Sequence, residues 1–231
     1  MSSDSKSKND IRTNAIVLRR TNYGEADRII NFLTEQGIIA AIAKGVRKEK
    51  SKLAGSVELF TLSDITLHKG LNNKLCVLTS AKMLEHYDQI PYKLAELELA
   101  GLVMKQIAKF AETSTGPEYF DLLHQILSAL NAGVNPELVE TWFWFNLAKT
   151  NGEQINVVKD TAGADLDPFK TYVWDNTESA LREQLGGNVG AEEIKLMRLM
   201  LSNTLKTCSR ISDIAPHLPT ILYIAKVINK Q

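Results

Sequence analysis

The first third of the chain contains short apolar runs separated by turn residues, with no helix-length pattern between the first few of them. Five such runs lie at 15–20, 28–34, 38–45, 57–70 and 74–84. In the fourth run, strand-forming side chains recur at every second position from Val57 to Leu67, which is typical of a long, half-buried strand. Five short strands predict a closed Greek-key barrel, the OB-fold, because closure removes exposed sheet edges. An open five-stranded sheet backed by helices fits the same pattern.

A strongly basic stretch, KGVRKEKSK at 44–52, follows the third predicted strand. Its basic residues are Lys44, Arg47, Lys48, Lys50 and Lys52. The whole chain is neutral, with 27 basic and 27 acidic residues, yet residues 1–86 carry 14 Lys and Arg against 9 Asp and Glu. This asymmetry predicts that the first third of the chain meets a polyanion.

Two interpretations of the basic stretch remain open on these grounds. It is either a solvated surface loop, in which lysines are common, or a mobile loop that contacts phosphates without reading bases. In the second case Arg19, Arg20 and Lys69 extend the surface, provided that they lie on the same side of the barrel. Tyr23 and Phe60 are the only nearby candidates for stacking on bases, and Phe60 better suits the core. Binding would then be mainly electrostatic.

Beyond Pro91 the apolar period lengthens to three or four residues, which predicts helices. The first is expected to run for about five turns with a broad buried face, and a second begins near 116–117. A third begins at 135–137, where Asn, Pro and Glu supply an N-cap, an N1 proline and a first-turn acid. It contains Trp-Phe-Trp-Phe at 142–145, so it is apolar on most sides, as a central helix is.

These patterns predict a disordered tail at 1–12, a barrel domain at 13–86 and a mainly helical domain at 87–231. Within the helical domain, residues 151–176 mix glycines, a proline and acids, and we expect a long connection with irregular or strand-like pieces. The tail lacks the apolar core of a secretory signal, and no apolar run approaches the roughly 18 to 20 residues that span a bilayer. We therefore expect a cytoplasmic protein without a membrane partner.

Sequence motifs of the common enzyme classes are absent. The chain has no GxxxxGK[ST], GxGxxG, GxSxG or HExxH pattern. Its two cysteines, Cys76 and Cys208, are far apart and form neither a disulfide framework nor a paired metal-ligand spacing. We expect two reduced thiols, no cofactor, and a binding protein rather than an enzyme.

Several short features recur in a fixed order in the first third of the chain. They are a first strand ending in basic residues, Tyr23-Gly24-Glu25 with Asp27-Arg28, a Thr-Glu-x-Gly turn at 34–37, the run from Ala43 to Arg47, Lys50-Ser51, and an element from Gly55 to Phe60. In this combination, residues 14–70 resemble the amino-terminal domain of the bacterial RecO recombination mediators. The helical remainder agrees with that family in general layout.

The resemblance implies an α+β protein, with an amino-terminal OB-fold and a mainly helical carboxy-terminal domain. It implies binding to single- and double-stranded DNA, with the family's DNA-contacting loop mapping onto residues 44–52, and annealing of complementary strands. It further implies that the protein acts with RecR to help RecA replace single-strand-binding protein on gapped DNA, and that it binds the acidic carboxy-terminal tail of that protein. Such a protein works in bacterial DNA repair and recombination, at the nucleoid.

Many members of that family carry a four-cysteine zinc module after the helix that corresponds to the Trp-Phe-Trp-Phe helix. Residues 151–176 contain no cysteine, so the chain departs from the family here. Four-coordinate structural zinc cannot be assembled without such ligands, and we predict a helical domain without a zinc module. Packing through Phe169, Tyr172 and Trp174 is expected to hold the region instead.

A groove for the acidic tail needs exposed apolar side chains and at least one Lys or Arg for the carboxylates. Lys105, Lys109 and Arg198 are the candidates. Two other functions remain compatible with the sequence. An OB-fold RNA-binding factor fits the charge pattern equally well, and so does a protein-interaction adaptor whose barrel binds no nucleic acid.

Overall fold

Five strands at the start of the chain close into a barrel. They are β1 (Asp10–Tyr23), β2 (Asp27–Thr34), β3 (Gly37–Ala43), β4 (Thr61–Lys69) and β5 (Cys76–His86). The computed structural model describes residues 9–69, 75–113, 116–153 and 155–230. Residues 1–8 of the predicted tail lie outside these ranges.

The strands follow the order β1-β2-β3-β5-β4 around the barrel. Neighbouring strands are antiparallel except β3 and β5, which pair in parallel at Ala41 and Ile42. Because the barrel closes, the alternative of an open sheet is excluded. The predicted α+β fold with an amino-terminal OB-like barrel is confirmed.

The barrel core is filled by side chains from alternate strand positions, as a sheet with one buried face requires. The strands contribute Ala15, Val17, Ile30, Phe32, Ala41, Ala43, Ile65, Leu67 and Leu78. Two further core residues, Val46 and Val57, come from the long connection between β3 and β4. This connection is therefore anchored inside the barrel at both of its ends.

Two predicted strand boundaries are wrong. β1 begins at Asp10 rather than at residue 15, because Asp10 pairs with His68 of β4 and the Arg12 Nε donates to the Asp64 Oδ1 at 3.0 Å. β4 begins at Thr61 rather than at residue 57, because Phe60 takes a positive φ of 61° that interrupts an extended chain. Residues 55–57 form a 3-10 turn, which packs on the barrel core through Val57.

Helices dominate the remainder of the chain. They are α1 (Leu94–Ala111), α2 (Glu118–Asn131), α3 (Pro136–Thr150), α4 (Ala191–Ser202), α5 (Leu205–Cys208) and α6 (Leu218–Ile228). The chain divides into two compact units, Met1–Leu127 and Ser128–Gln231, and α2 carries the chain from one to the other. In the first unit, α1 buries Leu99, Val103 and Ile107 at helical spacing, as its apolar period predicts.

In the second unit, α3 is buried on most sides, as predicted for a central helix. The Asn135 side chain accepts a hydrogen bond from the backbone N–H of Glu137 at 2.9 Å, which is the predicted N-cap. The indole Nε1 of Trp142 donates to the backbone oxygen of Asn203 at 3.0 Å. The Nδ2 of Asn229, just beyond α6, donates to the backbone oxygen of Trp144 at 2.8 Å. A hydrogen bond therefore adds to the apolar contact between α3 and α6.

The segment between α3 and α4 contains a small sheet in the order β6-β8-β7, formed by β6 (Asn156–Asp160), β7 (Tyr172–Asp175) and β8 (Ala180–Glu183). Tyr172 is buried, and its hydroxyl accepts a hydrogen bond from the backbone N–H of Asp167 at 2.8 Å. The prediction that Phe169 packs here is wrong, since that side chain is 96% exposed. The Asp167 carboxylate accepts from the Phe169 N–H at 2.8 Å, which makes a tight turn on the surface.

Both cysteines are free and buried. Burial raises the pKa of the Cys208 thiol to about 11, which makes it a poor nucleophile at neutral pH. Over the described ranges, no three His, Cys, Asp or Glu side chains are grouped so that they could hold a metal ion. None of the described helices is both long and apolar enough to cross a membrane.

Glu193 closes the amino-terminal turn of α4. Its Oε2 accepts from the backbone N–H of Gly190 at 2.9 Å, and its Oε1 lies 2.6 Å from the Nδ1 of His217. Burial favours the protonated acid, but the hydrogen bonds to His217 and Gly190 outweigh it and lower the pKa of Glu193 below its ordinary value. A lowered folded-state pKa gives stability that is present above the unfolded-state pKa and is lost as pH falls through the lowered one.

We expect Glu193→Gln to remove this pH dependence. The free energy of unfolding of the wild type should decline relative to that of the variant as pH falls from about 6 to about 3, because the native carboxylate must be protonated. Urea unfolding at a series of pH values measures this. Glu192→Gln, an exposed neighbour in the same turn, is the control. Equal pH profiles for Glu193→Gln and Glu192→Gln would contradict the assignment.

Candidate nucleic-acid interface

The connection after β3 forms a basic loop, residues 44–54, with a defined backbone. The N–H of Lys48 donates to the oxygen of Gly45 at 3.1 Å, and the N–H of Ser51 donates to the oxygen of Lys48 at 3.0 Å. A further turn is closed at 3.5 Å between the Ala54 N–H and the Ser51 oxygen. The loop therefore consists of consecutive tight turns.

Three contacts hold the basic loop in place, one in the barrel core and two at the tip of the β1–β2 hairpin. Val46 is buried in the barrel core. The Asp27 Oδ1 accepts a hydrogen bond from the backbone N–H of Gly45 at 2.7 Å, and the backbone N–H of Arg47 donates to the oxygen of Ala26 at 2.9 Å. Gly45 has a φ of 63°, which a glycine adopts without strain. The hairpin tip and the basic loop therefore form one surface.

All five predicted cations of the basic loop are exposed: Lys44, Arg47, Lys48, Lys50 and Lys52. Among the described residues, none of their side chains lies within ion-pair distance of a carboxylate. Like charges this close together on one loop produce a positive local potential that attracts polyanions. The arrangement can bind phosphates without any rearrangement of internal ion pairs.

Arg20, which the sequence also proposes as a DNA contact, is placed differently. It pairs with Ile30 on the core face of the sheet, and its guanidinium donates to Glu58 at the mouth of the barrel. The same carboxylate accepts from the Arg28 Nη1 at 3.0 Å. Arg20 is only 22% exposed and is ion-paired with Glu58, unlike the exposed cations of the loop.

Arg19 and Lys69 lie apart from the basic loop as well. Successive strand residues point to opposite faces, so Arg19 faces away from Arg20, and it lies beside α1. Lys69 pairs with Cys76, which in turn pairs with Ala41, so Lys69 is two strands across from the strand that leads into the loop. The structure thus brings together the five loop residues out of the eight predicted DNA contacts.

Sequence reasoning missed the residues that hold this surface in place. Asp27 orients the start of the basic loop, and Glu58 accepts hydrogen bonds from both Arg20 and Arg28. Asp27 stands in the Asp-Arg pair that the family resemblance singled out, and this motif was the available signal. Glu58 lies within the Gly55 to Phe60 element of the same resemblance, but its pairing was not predictable, since its partners come from strands that are distant in sequence.

A pocket of about 530 Å³ lies between the barrel and α1 in the first unit. Its lining is mostly apolar and includes Leu18, Ile38, Phe60, Leu97 and Met104. Three charged residues line it too, the cations Arg19 and Lys105 and the carboxylate Glu112, and all three are exposed to solvent. A Cβ added at Gly101 would meet nothing within 4 Å, so the helix leaves this part of the pocket open.

Of the three predicted partner-binding residues, only Lys105 lines this pocket. The Lys109 ammonium lies over the ring of Phe110, at 5.3 Å from the ring centroid. In the second unit, the Arg198 Nε donates to the backbone oxygen of Val157 at 2.7 Å and so fastens β6 to α4. The structure therefore gives Arg198 a structural contact and leaves Lys105 beside an apolar surface.

A closed five-stranded barrel followed by helices defines this chain as an OB-fold protein with a helical carboxy-terminal part. Residues 8–87 match the family described as Recombination protein O N terminal, and residues 100–226 match Recombination protein O C terminal. The chain therefore belongs to the RecO family of DNA repair proteins, and the resemblance noted in its sequence is confirmed.

Individual relatives agree with this assignment. The chain is 29% identical over 211 residues to the DNA repair protein RecO of Dehalococcoides mccartyi strain CBDB1, covering 87% of this chain and 82% of the relative. It is 34% identical over 128 residues to the RecO protein of Roseiflexus sp. strain RS-1, covering 55% and 44%. It is 31% identical over 130 residues to that of Listeria monocytogenes serotype 4b strain F2365, covering 55% and 50%.

We expect Asp27→Ala to destabilise the barrel by about 2 kcal/mol, because it removes a hydrogen bond from the Gly45 N–H to a charged acceptor. Asp27→Asn keeps an acceptor oxygen and should cost less. Urea unfolding of the three proteins measures both effects. If Asp27→Ala unfolds at the wild-type urea concentration, the carboxylate does not hold the loop.

Proposed function

We propose that the chain is a recombination mediator that binds single- and double-stranded DNA and anneals complementary strands in the bacterial cytoplasm. The observation that carries this is the group of five exposed cations on one loop that is anchored to the barrel. Lys and Arg at phosphates release condensed counterions, and this drives binding at low salt. Because the loop offers charge rather than groups shaped to base edges, we expect little dependence on sequence.

Annealing by such a surface needs no catalytic residue. Two DNA strands repel each other through their phosphates, and a shared cationic surface reduces this repulsion while it raises the local concentration of both strands. Base pairing then supplies the free energy of duplex formation. No covalent bond changes, so the proposed role is that of a mediator without a cofactor, not of an enzyme.

We also propose that the chain docks proteins: RecR, and the acidic carboxy-terminal tail of single-strand-binding protein. Through them it would help RecA to load onto DNA. The pocket beside α1 supports the docking of the tail, because its apolar lining suits buried side chains while Arg19 and Lys105 suit carboxylates. Recognition of an acidic peptide thus involves a different part of the first unit from the basic loop.

We expect Lys48→Glu/Lys50→Glu to weaken binding to fluorescent single-stranded DNA and to flatten its salt dependence. The plot of log affinity against log salt should be shallower by about 1.4 or more, since two phosphate contacts are lost at about 0.7 each. The control, Lys206→Glu/Lys230→Glu, changes the charge equally at exposed lysines of the second unit.

The same titration separates the proposed function from its rivals. Tighter binding to structured RNA than to single-stranded DNA would favour an RNA-binding factor. A wild-type protein that binds no nucleic acid at low salt would favour a protein-interaction adaptor. Equal salt slopes for both double variants would show that the basic loop does not contact phosphates.

We expect Lys105→Glu and Gly101→Leu to weaken binding of a tail peptide from single-strand-binding protein by at least about tenfold, or about 1.4 kcal/mol. The first variant reverses a charge in the pocket, and the second places a side chain in its open space. Calorimetric titration measures the affinity, and Lys109→Glu is the control on the same helix. Unchanged affinity in both pocket variants would place the tail elsewhere.

A further inference from the structure

The tip of the β1–β2 hairpin carries an exposed aromatic side chain beside the basic loop. Tyr23 ends β1 and is 55% exposed. The other two Phe, Tyr or Trp residues between positions 9 and 86 are Phe32, which is fully buried, and Phe60, which is 8% exposed. Among the Phe, Tyr and Trp residues that the structure describes in the barrel, Tyr23 alone presents its ring to solvent.

Tyr23 is held at a fixed place relative to the loop cations. It pairs with Asp27 across the hairpin, and the Asp27 carboxylate accepts from the Gly45 N–H. The Arg47 Nη1 donates to the oxygen of Gly24, the next residue after Tyr23, at 3.4 Å. A strand that lays its phosphates along the basic loop therefore passes the hairpin tip, whose backbone is bonded to that loop and which carries the exposed Tyr23.

We propose that Tyr23 is a stacking platform for one unpaired base of the bound strand. This inference rests on the proposed function, because it needs a strand on the basic loop. Stacking on a Tyr ring tolerates any base, since every base has a π-face. The loop would hold the phosphates and Tyr23 the neighbouring base, so that binding depends on the backbone and on the presence of a base.

Stacking on Tyr23 would make the protein distinguish single strands from duplexes. In a duplex the bases are stacked and paired inside the helix, and Tyr23 cannot reach one without unpairing it. The cations of the basic loop make no such distinction, because both forms present phosphates. Tyr23 therefore contributes binding free energy to the substrates of annealing but not to its product, and it favours release of the product.

The test compares two strands with equal numbers of phosphates. One is an oligothymidylate, and the other has the same length but abasic sites throughout. Wild type should bind the abasic strand about tenfold more weakly, which is the loss of one stacked base. Tyr23→Ala should bind oligothymidylate about tenfold more weakly than wild type does and should not distinguish the two strands. Its salt slope and its affinity for duplex should stay unchanged.

Two controls accompany this comparison. Tyr23→Phe keeps the ring and should behave as wild type does, and Tyr92→Ala removes a tyrosine that is 84% exposed at the turn before α1. If Tyr23→Ala still distinguishes the two strands as wild type does, or weakens both equally, the inference is overturned while DNA binding stands. If wild type binds neither strand at low salt, the proposed function and this inference both fail.

Discussion

The parallel pairing of β3 with β5 at Ala41 and Ile42 is the contact on which the arrangement of the first unit depends. It closes the barrel, and it is short, so the chain leaves the sheet directly after Ala43. The segment that follows Ala43 is the basic loop. It remains attached to the barrel because Val46 is buried in the barrel core and the Asp27 carboxylate accepts a hydrogen bond from the N–H of Gly45. The position of the charged surface is thus a consequence of barrel closure.

Burial explains why Arg20 and Arg28 are paired while the cations of the basic loop are not. Arg20 and Arg28 project from the core face of the sheet at the barrel mouth, where partial desolvation makes an unpaired charge costly, and both donate to Glu58. The loop lysines are exposed to water and need no counter-charge. The loop cations are therefore free to meet a phosphate, whereas Arg20 and Arg28 are held in ion pairs that stabilise the fold.

The sequence predicts those parts of the fold that follow from local periodicity. The barrel strands, the buried α3 and its Asn135 cap are examples. The prediction is wrong where a residue fits the local pattern but is buried for another reason. Val57 continues the alternating pattern of β4, although it belongs to a 3-10 turn that packs on the barrel core. The same distinction between local pattern and long-range packing applies to the candidate site and to exposed side chains. The loop cations are visible as a run of charge, whereas the pairing of Arg20 with Glu58, the pocket beside α1 and the exposure of Phe169 depend on neighbours that no local pattern identifies.

Charge alone would make a poor annealing protein. Duplex DNA carries one negative charge per about 1.7 Å of its axis, twice the density of either strand in it, so a purely cationic surface holds the product more tightly than the substrates. A protein that anneals strands repeatedly therefore needs a contact that exists before pairing and is lost after it. An unpaired base on an aromatic ring is such a contact, and in this barrel the exposed Tyr23 lies at the hairpin tip that contacts the basic loop, the surface that we propose binds the backbone. In this proposal the loop cations bind the DNA backbone, whereas loss of the stacked base favours release of the duplex. Either property can therefore change without loss of the other.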